Sequence, residues 1–135
     1  MEKVRRTRLR SRLSMKYNSF IDMPVWKKSM DLSKKVFDLT AKLPKKEDYG
    51  LTSQIRRSAL SVSGNIAEGF GRNHTKDKLN FYYDARGSLS ETKNHLIYGR
   101  NVAYFNEEDY KNHNVLIEDI WKELNYLIAN LKAKV

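Results

Sequence analysis

The chain has 135 residues and carries 26 Lys and Arg against 16 Asp and Glu, which gives a formal net charge of +10. This length is typical of one domain with its own core, and the lack of cysteine excludes a disulfide framework and a thiolate metal site. Charged or polar residues interrupt every apolar stretch, which argues against a membrane-spanning helix and a signal peptide, so we expect a cytoplasmic protein without membrane partners.

Most of the positive charge lies near the N-terminus. Residues 1–16 hold seven basic groups and one acidic group, a net +6, so the other 119 residues hold 19 basic and 15 acidic groups, only +4. We predict that residues 1–21 form a basic, flexible arm that contacts nucleic-acid phosphates. The alternative is a disordered extension upstream of a true start at Met15 or Met23, and the sequence leaves both open.

Four helices are predicted after the arm. The first begins with Asp22 as N-cap and Pro24 just inside, and ends near Leu43, before a proline. Two apolar stripes follow its helical period, and one of them contains Trp26 and Phe37. Because aromatic side chains are mostly buried, we assign these two residues to the core or to a subunit interface rather than to base stacking.

The second helix, Leu51 to Arg72, has packing surface on both sides. One apolar stripe runs from Leu51 to Ile66, and small or apolar residues occupy the opposite side, namely Leu60, Gly64, Ala67 and Gly71. This pattern predicts contact with the protein's own core on one side and with another subunit on the other. A polar seam from Gln54 to Glu68 separates the two sides, and Gly69 and Gly71 are predicted to be left-handed helix caps.

The third helix is predicted to begin after Thr75 as N-cap and to end near Val102. Arg86, Lys93 and Arg100 repeat every seven residues along its flank. One interpretation of this basic row is an edge that follows a phosphate backbone. The alternative is a solvated or salt-bridged flank, which is the commoner role of such rows.

The fourth helix is predicted to start at Asn106, because acidic residues fill the turn that follows. A wide apolar face then extends from Leu116 to Leu131, and no alternating strand pattern occurs anywhere in the chain. The predicted fold is therefore all-α, an antiparallel up-down-up-down four-helix bundle over residues 22–135.

The sequence offers little for catalysis. The three histidines lie on separate segments, and Glu91-x-x-x-His95 is the nearest approach to a metal-binding pair. Glu68 and Glu91 lack an accompanying nucleophile, so we expect them to form ion pairs with Arg57 or Arg86. We predict a protein that is not an enzyme and that uses no cofactor or metal ion.

The motifs of the chain resemble one known family. The matching segments are Val25-Trp26-Lys27-Lys28, Tyr49 to Ala59 (YGLTSQIRRSA), Ser63 to Arg72 (SGNIAEGFGR) and Ala85 to Leu89 (ARGSL) with Glu91. They resemble the bacterial 23S rRNA intervening-sequence protein, or ribosomal-protein-like, family over about residues 22–131. That family includes the accessory variability determinants of diversity-generating retroelements.

This resemblance implies an antiparallel bundle that assembles as a homopentamer around a central channel. It also implies a basic surface that binds RNA or DNA, and no established enzymatic activity. Some family members are encoded within insertions in large-subunit rRNA genes, and others assist a retroelement reverse transcriptase. The basic arm has no counterpart in the family.

Two hypotheses of function follow. In the first, a basic homo-oligomer binds RNA or DNA/RNA hybrids with little sequence specificity, through Arg56, Arg57, Arg72, Lys76, Lys78, Arg86, Lys93 and Arg100. In the second, the oligomer is a scaffold that docks a protein such as a reverse transcriptase. The subunit interface is predicted at Trp26, Phe37, Leu60, Gly64, Ala67 and Gly87, the last because a mid-helix glycine permits close approach of another helix.

Overall fold

The computed structural model describes residues 17–135, so most of the predicted arm lies outside the described residues. The described chain contains four α-helices, two short 3-10 turns and no strand. The helices are α1 (Pro24–Thr40), α2 (Leu51–Phe70), α3 (Thr75–Asn101) and α4 (Glu107–Lys132), and the turns are Phe20–Asp22 and Lys45–Glu47. The prediction of an all-helical fold with four helices is confirmed. None of these helices has both the length and the apolar character needed to cross a membrane.

The four helices share one core. Helix α1 packs against α2 and α4, and α3 packs against the same two helices. The predicted stripe of α2 lies at the centre, where Ile55, Ala59, Val62 and Ile66 are each fully buried. The last part of the predicted arm also contacts this core, since Tyr17 and Phe20 pack against it.

The start and the end of α1 differ from the prediction. Asp22 is not the N-cap, because it belongs to the preceding 3-10 turn. Met23 occupies the cap position without a side-chain hydrogen bond, and Pro24 is the first helical residue. The helix ends at Thr40, and a turn in which the Leu43 amide donates to the Thr40 carbonyl (3.1 Å) follows before the proline.

The prediction that glycines form left-handed caps at the end of α2 is wrong. Gly71 follows the helix with a φ of −74°, and none of the described glycines has a positive φ. Gly69 lies inside α2, where an added Cβ would be only 2.7 Å from Cε1 of Tyr82 on α3. Its missing side chain therefore allows α2 and α3 to pack closely, and a turn does not explain it.

The N-terminus of α4 follows the prediction, whereas that of α3 does not. His74, and not Thr75, is the N-cap of α3, and it makes no side-chain capping bond. In α4, Asn106 Oδ1 accepts from the Asp109 amide at 2.7 Å, and Asp109 Oδ2 accepts from the Asn106 amide at 3.2 Å. This reciprocal pair satisfies two amides that the helix itself leaves unbonded.

The turn between α3 and α4 is tightly constructed. The Gly99 carbonyl accepts from the amides of Tyr104 (2.8 Å) and Phe105 (3.1 Å). Ala103, the residue before Tyr104, adopts a positive φ of 65°. The chain thereby folds the Phe105 ring, which is 2% exposed, directly onto Gly99.

Candidate nucleic-acid interface

The predicted basic row on α3 faces α4, and two of its three members form ion pairs there. Lys93 Nζ lies 2.5 Å from Glu118 Oε1, and this hydrogen bond raises the pKa of Lys93 above its ordinary value. Arg100 Nε lies 3.7 Å from Glu107 Oε1. The third member, Arg86, also reaches α4 but meets a neutral group. The structure therefore favours a salt-bridged flank over an edge of unpaired cations.

Two arginines of α2 and its exit also have acidic partners. Arg57 pairs with Glu91, as the sequence predicted. Glu68 pairs with Arg72, its neighbour one turn away (3.3 Å), and not with Arg57 or Arg86 as expected. All of these side chains are at least one-third exposed, so each pair contributes at most about 1 kcal/mol to stability.

Two further arginines bond to neutral acceptors and keep their charge uncompensated. Arg56 Nε donates to Thr40 Oγ1 at 2.8 Å, and its guanidinium lies 4.4 Å from the centre of the Phe37 ring. Arg86 donates to Asn125 Oδ1 at 2.9 Å. A neutral acceptor orients the cation without cancelling its field, so both side chains remain attractive to a polyanion.

The two predicted lysines near the start of α3 differ from each other. Lys78 Nζ donates to the carbonyls of Gly69 (3.2 Å) and Phe70 (2.8 Å), which caps the last turn of α2, and partial burial lowers the pKa of Lys78. Lys76 is exposed and makes no hydrogen bond or ion pair with any residue in the range 17–135. Lys78 thus stabilises the fold, whereas Lys76 is available for a ligand.

Three segments meet at one end of the protein. Tyr17 and Asn130 line one groove there, and Phe20 lines another with Gly71 and Arg72. We call residues 17–24, 68–78 and 127–135 the Tyr17 end. It carries five basic residues, namely Arg72, Lys76, Lys78, Lys132 and Lys134, against Asp22, Glu68 and Asp77, a net +2. Residues 1–16, with a net +6, join the described chain at this point.

Sequence reasoning did not select Lys132 and Lys134. Lys132 Nζ lies 5.6 Å from the centre of the Tyr83 ring, and Lys134 is exposed beyond the end of α4. The signal that identifies them is position in the fold, because they become relevant only once the end of α4 is known to lie beside Tyr17.

Five of the six predicted interface residues lie on a contiguous surface formed by α1 and α2, which we call the α1–α2 face. Its two most exposed apolar side chains are Phe37 (56%) and Leu60 (57%). Trp26 packs edge-on against Phe20 with ring centres 5.2 Å apart, and Phe20 lines a groove with Gly64 and Ala67. Such exposed apolar surface is typical of a contact site.

Gly87 does not belong to this face. It is exposed on α3, and a Cβ placed on it would have no described atom within 4 Å. Within the described residues, no other helix approaches Gly87. Its place in a subunit interface stays a prediction.

The predicted pair of Glu91 and His95 is a weak contact. His95 Nε2 lies 3.5 Å from Glu91 Oε1, and that carboxylate is shared with Arg57. Among residues 17–135, no three His, Asp or Glu side chains are grouped so that they could hold a metal ion.

Comparison with known proteins agrees with the resemblance of the motifs. A family model described as 23S rRNA-intervening sequence protein matches residues 21–126. The fold is similar to a crystal structure of a protein with unknown function from the S23 ribosomal protein family of Bacteroides thetaiotaomicron, with a TM-score of 0.70 and 23% identity over 77% of this chain and 97% of that chain. At this identity the likeness shows the fold alone. No curated protein matches the chain.

Proposed function

The chain belongs to the family of 23S rRNA-intervening sequence proteins, and from that premise we propose that it is a non-enzymatic homo-oligomer that binds RNA, or DNA/RNA hybrids, with little sequence specificity. The observation that carries this proposal is the group of cations without acidic partners at the Tyr17 end. These are Lys76, Lys132 and Lys134, to which residues 1–16 add their charge.

A cation without an acidic partner contributes more to RNA binding than a paired one. A lysine that already neutralises a carboxylate must give up that partner, or share it, before it can neutralise a phosphate. An unpaired lysine instead releases the counterions of the phosphate directly, and this release drives most sequence-independent binding. Because phosphates are the same at every position, contacts of this kind carry little sequence information.

We infer that the four helices run antiparallel, and the ion pairs between α1 and α4 support this arrangement. Near the start of α1, Lys28 Nζ lies 2.8 Å from Glu123 Oε1 in the second half of α4. Just beyond the end of α1, Lys42 Nζ lies 2.7 Å from Asp109 Oδ2 in the first turn of α4. Ascending numbers in one helix thus meet descending numbers in the other, as in an up-down-up-down bundle.

Self-association is part of the same proposal, through the α1–α2 face. Leu60 and Phe37 would supply apolar area, and Gly64, which has no neighbour within 4 Å of its Cβ position, would let a second copy approach closely. The family resemblance implies a pentamer, and we propose the same number of subunits here.

Light scattering would measure the mass of the assembly. We expect Leu60→Glu to dissociate it, whereas Val115→Glu, at a more exposed site (71%) on α4, should leave its mass unchanged. A monomeric wild type at micromolar concentration would remove this part of the proposal.

A pair of triple variants tests RNA binding with equal changes of charge. The first replaces Lys76, Lys132 and Lys134 with Gln, and the second does the same at Lys28, Lys42 and Lys93, which are ion-paired. Fluorescence anisotropy with a labelled, structured RNA at low salt would measure the affinity. We expect the first triple variant to bind at least about tenfold more weakly than wild type, and the second to remain near wild type.

The second triple variant is the control for total charge. If both triple variants lose the same amount of RNA affinity, only the total charge matters and the Tyr17 end is not the binding site. A wild type that binds no RNA at low salt would refute the function itself.

The second candidate function is a scaffold that docks a reverse transcriptase. The observation that favours it is again the α1–α2 face, provided that copies of the chain associate through another surface. Copurification of a neighbouring-gene reverse transcriptase with wild type and with Val115→Glu, but not with Leu60→Glu, would support it. This interpretation also requires that the Leu60→Glu assembly keeps the mass of wild type, since a dissociated assembly could lose the partner indirectly.

A further inference from the structure

An apolar groove lies between the start of α1 and the second half of α4, at the Tyr17 end. It encloses about 250 Å³. Its lining combines aromatic and aliphatic side chains with a few polar ones, namely Tyr17, Met23, Val25, Tyr126, Leu127 and the polar groups of Lys122, Glu123 and Asn130. Lys122 and Glu123 lie outside the binding surface described above, whereas Asn130 belongs to the Tyr17 end.

The composition of the groove matches the chemistry of a nucleobase. A base has two flat π faces and a polar edge, so proteins hold unstacked bases between aromatic or apolar side chains and bond their edges. Tyr126, which is 48% exposed, and Tyr17 supply aromatic rings, and Asn130 supplies an amide with both donors and an acceptor. The volume is below that of a typical pocket for a drug-sized ligand, which suits one or two fused rings.

We propose that this groove binds one unstacked nucleobase of single-stranded RNA, with Tyr126 as the stacking residue and the Asn130 amide as the group that bonds to the polar edge of the base. The proposal rests on the RNA-binding function above and names the form of RNA that this end of the protein takes. Lys122 lines the same groove and can neutralise a flanking phosphate. Residues 1–16, which precede Tyr17 in the sequence, carry seven more basic residues. Bases in a duplex are stacked and paired, so they cannot enter the groove.

Matched tyrosine variants test the stacking role. Tyr126 and Tyr98 are similarly exposed (48% and 51%), but Tyr98 lies on α3, away from the groove. Anisotropy titrations would compare wild type, Tyr126→Ala, Tyr126→Phe and Tyr98→Ala on short labelled oligoadenylate and on an RNA duplex of equal length. Thermal melting by circular dichroism would establish that each variant is folded.

We expect Tyr126→Ala to weaken binding of oligoadenylate about tenfold, because one base–aromatic stack is lost, and to leave duplex binding unchanged. Tyr126→Phe keeps the ring and should bind as wild type does, as should Tyr98→Ala. If Tyr126→Ala binds oligoadenylate as tightly as Tyr98→Ala does, the groove proposal is overturned while the general RNA-binding function stands. If wild type binds neither RNA at low salt, both fail. A change in the mass of the Tyr126→Ala assembly would assign the groove to a second copy of the chain and would also overturn the proposal.

Discussion

Two glycines on α3 should respond to alanine in opposite ways. An added Cβ at Gly99 would lie 2.2 Å from Cε2 and 2.3 Å from Cδ2 of Phe105, more than 1 Å inside an ordinary contact distance. At Gly87 the same atom would meet nothing within 4 Å. Gly99→Ala therefore tests packing in the α3–α4 turn, and Gly87→Ala is its control on the same helix.

The magnitudes follow from the surroundings of each site. The Phe105 ring cannot retreat easily, because it is buried and its backbone amide is bonded to the Gly99 carbonyl at 3.1 Å. An overlap of more than 1 Å with a buried ring belongs in the upper part of the usual overpacking range, about 2–3 kcal/mol, and the gain in helix propensity returns about 1 kcal/mol. We therefore expect a net loss of about 1–2 kcal/mol for Gly99→Ala and a gain of up to about 1 kcal/mol for Gly87→Ala.

Thermal unfolding followed by circular dichroism would measure both effects. For a chain of this size, the midpoint should fall by about 4–8 °C for Gly99→Ala and rise by about 4 °C for Gly87→Ala. Protein concentration must be equal and the assembly mass recorded, because association shifts the midpoint by mass action. A Gly99→Ala midpoint at or above that of wild type would refute the packing argument.

Three further predictions concern helix ends and pH. Asn106→Ala should lower the free energy of unfolding by about 1 kcal/mol through loss of the α4 cap, whereas Asn101→Ala at the exposed end of α3 should be neutral; equal urea midpoints would contradict this. Lys78→Gln should lose about 1 kcal/mol by leaving the last carbonyls of α2 without their cation, and Lys76→Gln should change stability by less than about 0.5 kcal/mol; the reverse order in urea titrations would be incompatible with the contacts of Lys78. For Asp109, burial raises the pKa, but the bonds from Lys42 and the Asn106 amide outweigh it, so the folded pKa lies below the ordinary value. The contribution of the Asp109 carboxylate to stability is complete above the ordinary carboxylate pKa and is lost as the pH falls through the folded pKa. Asp109→Asn should therefore make the stability of the protein fall less steeply at acid pH. An unchanged pH dependence would show that Asp109 does not contribute in this way.

Local patterns in the sequence predict the features that depend on near neighbours. The Asn106 cap is such a feature, since its partner Asp109 is three residues away. The core stripe of α2 is another, because helical periodicity alone brings Ile55, Val62 and Ile66 to one side.

Apart from the Arg57–Glu91 pair, the features that depend on contacts between helices could not be predicted in this way. The seven-residue spacing of Arg86, Lys93 and Arg100 places them on one flank, but only the register of α3 against α4 gives Lys93 its partner Glu118. The same limit explains Gly69, whose local pattern suggested a helix cap and whose actual constraint is Tyr82, on another helix. The cations of the Tyr17 end likewise come together through the fold, since Lys76 and Lys134 are far apart in the chain.

The salt dependence of RNA affinity tests the central claim most directly. For wild type, the logarithm of the binding constant should fall steeply and linearly with the logarithm of salt concentration. Replacing Lys76, Lys132 and Lys134 with Gln should make that slope shallower by about two units, since each phosphate contact contributes about 0.7–0.9. The same change at the ion-paired Lys28, Lys42 and Lys93 should leave it nearly unaltered. A flat slope for wild type, or equal slopes for the two triple variants, would contradict RNA binding by the unpaired cations of the Tyr17 end.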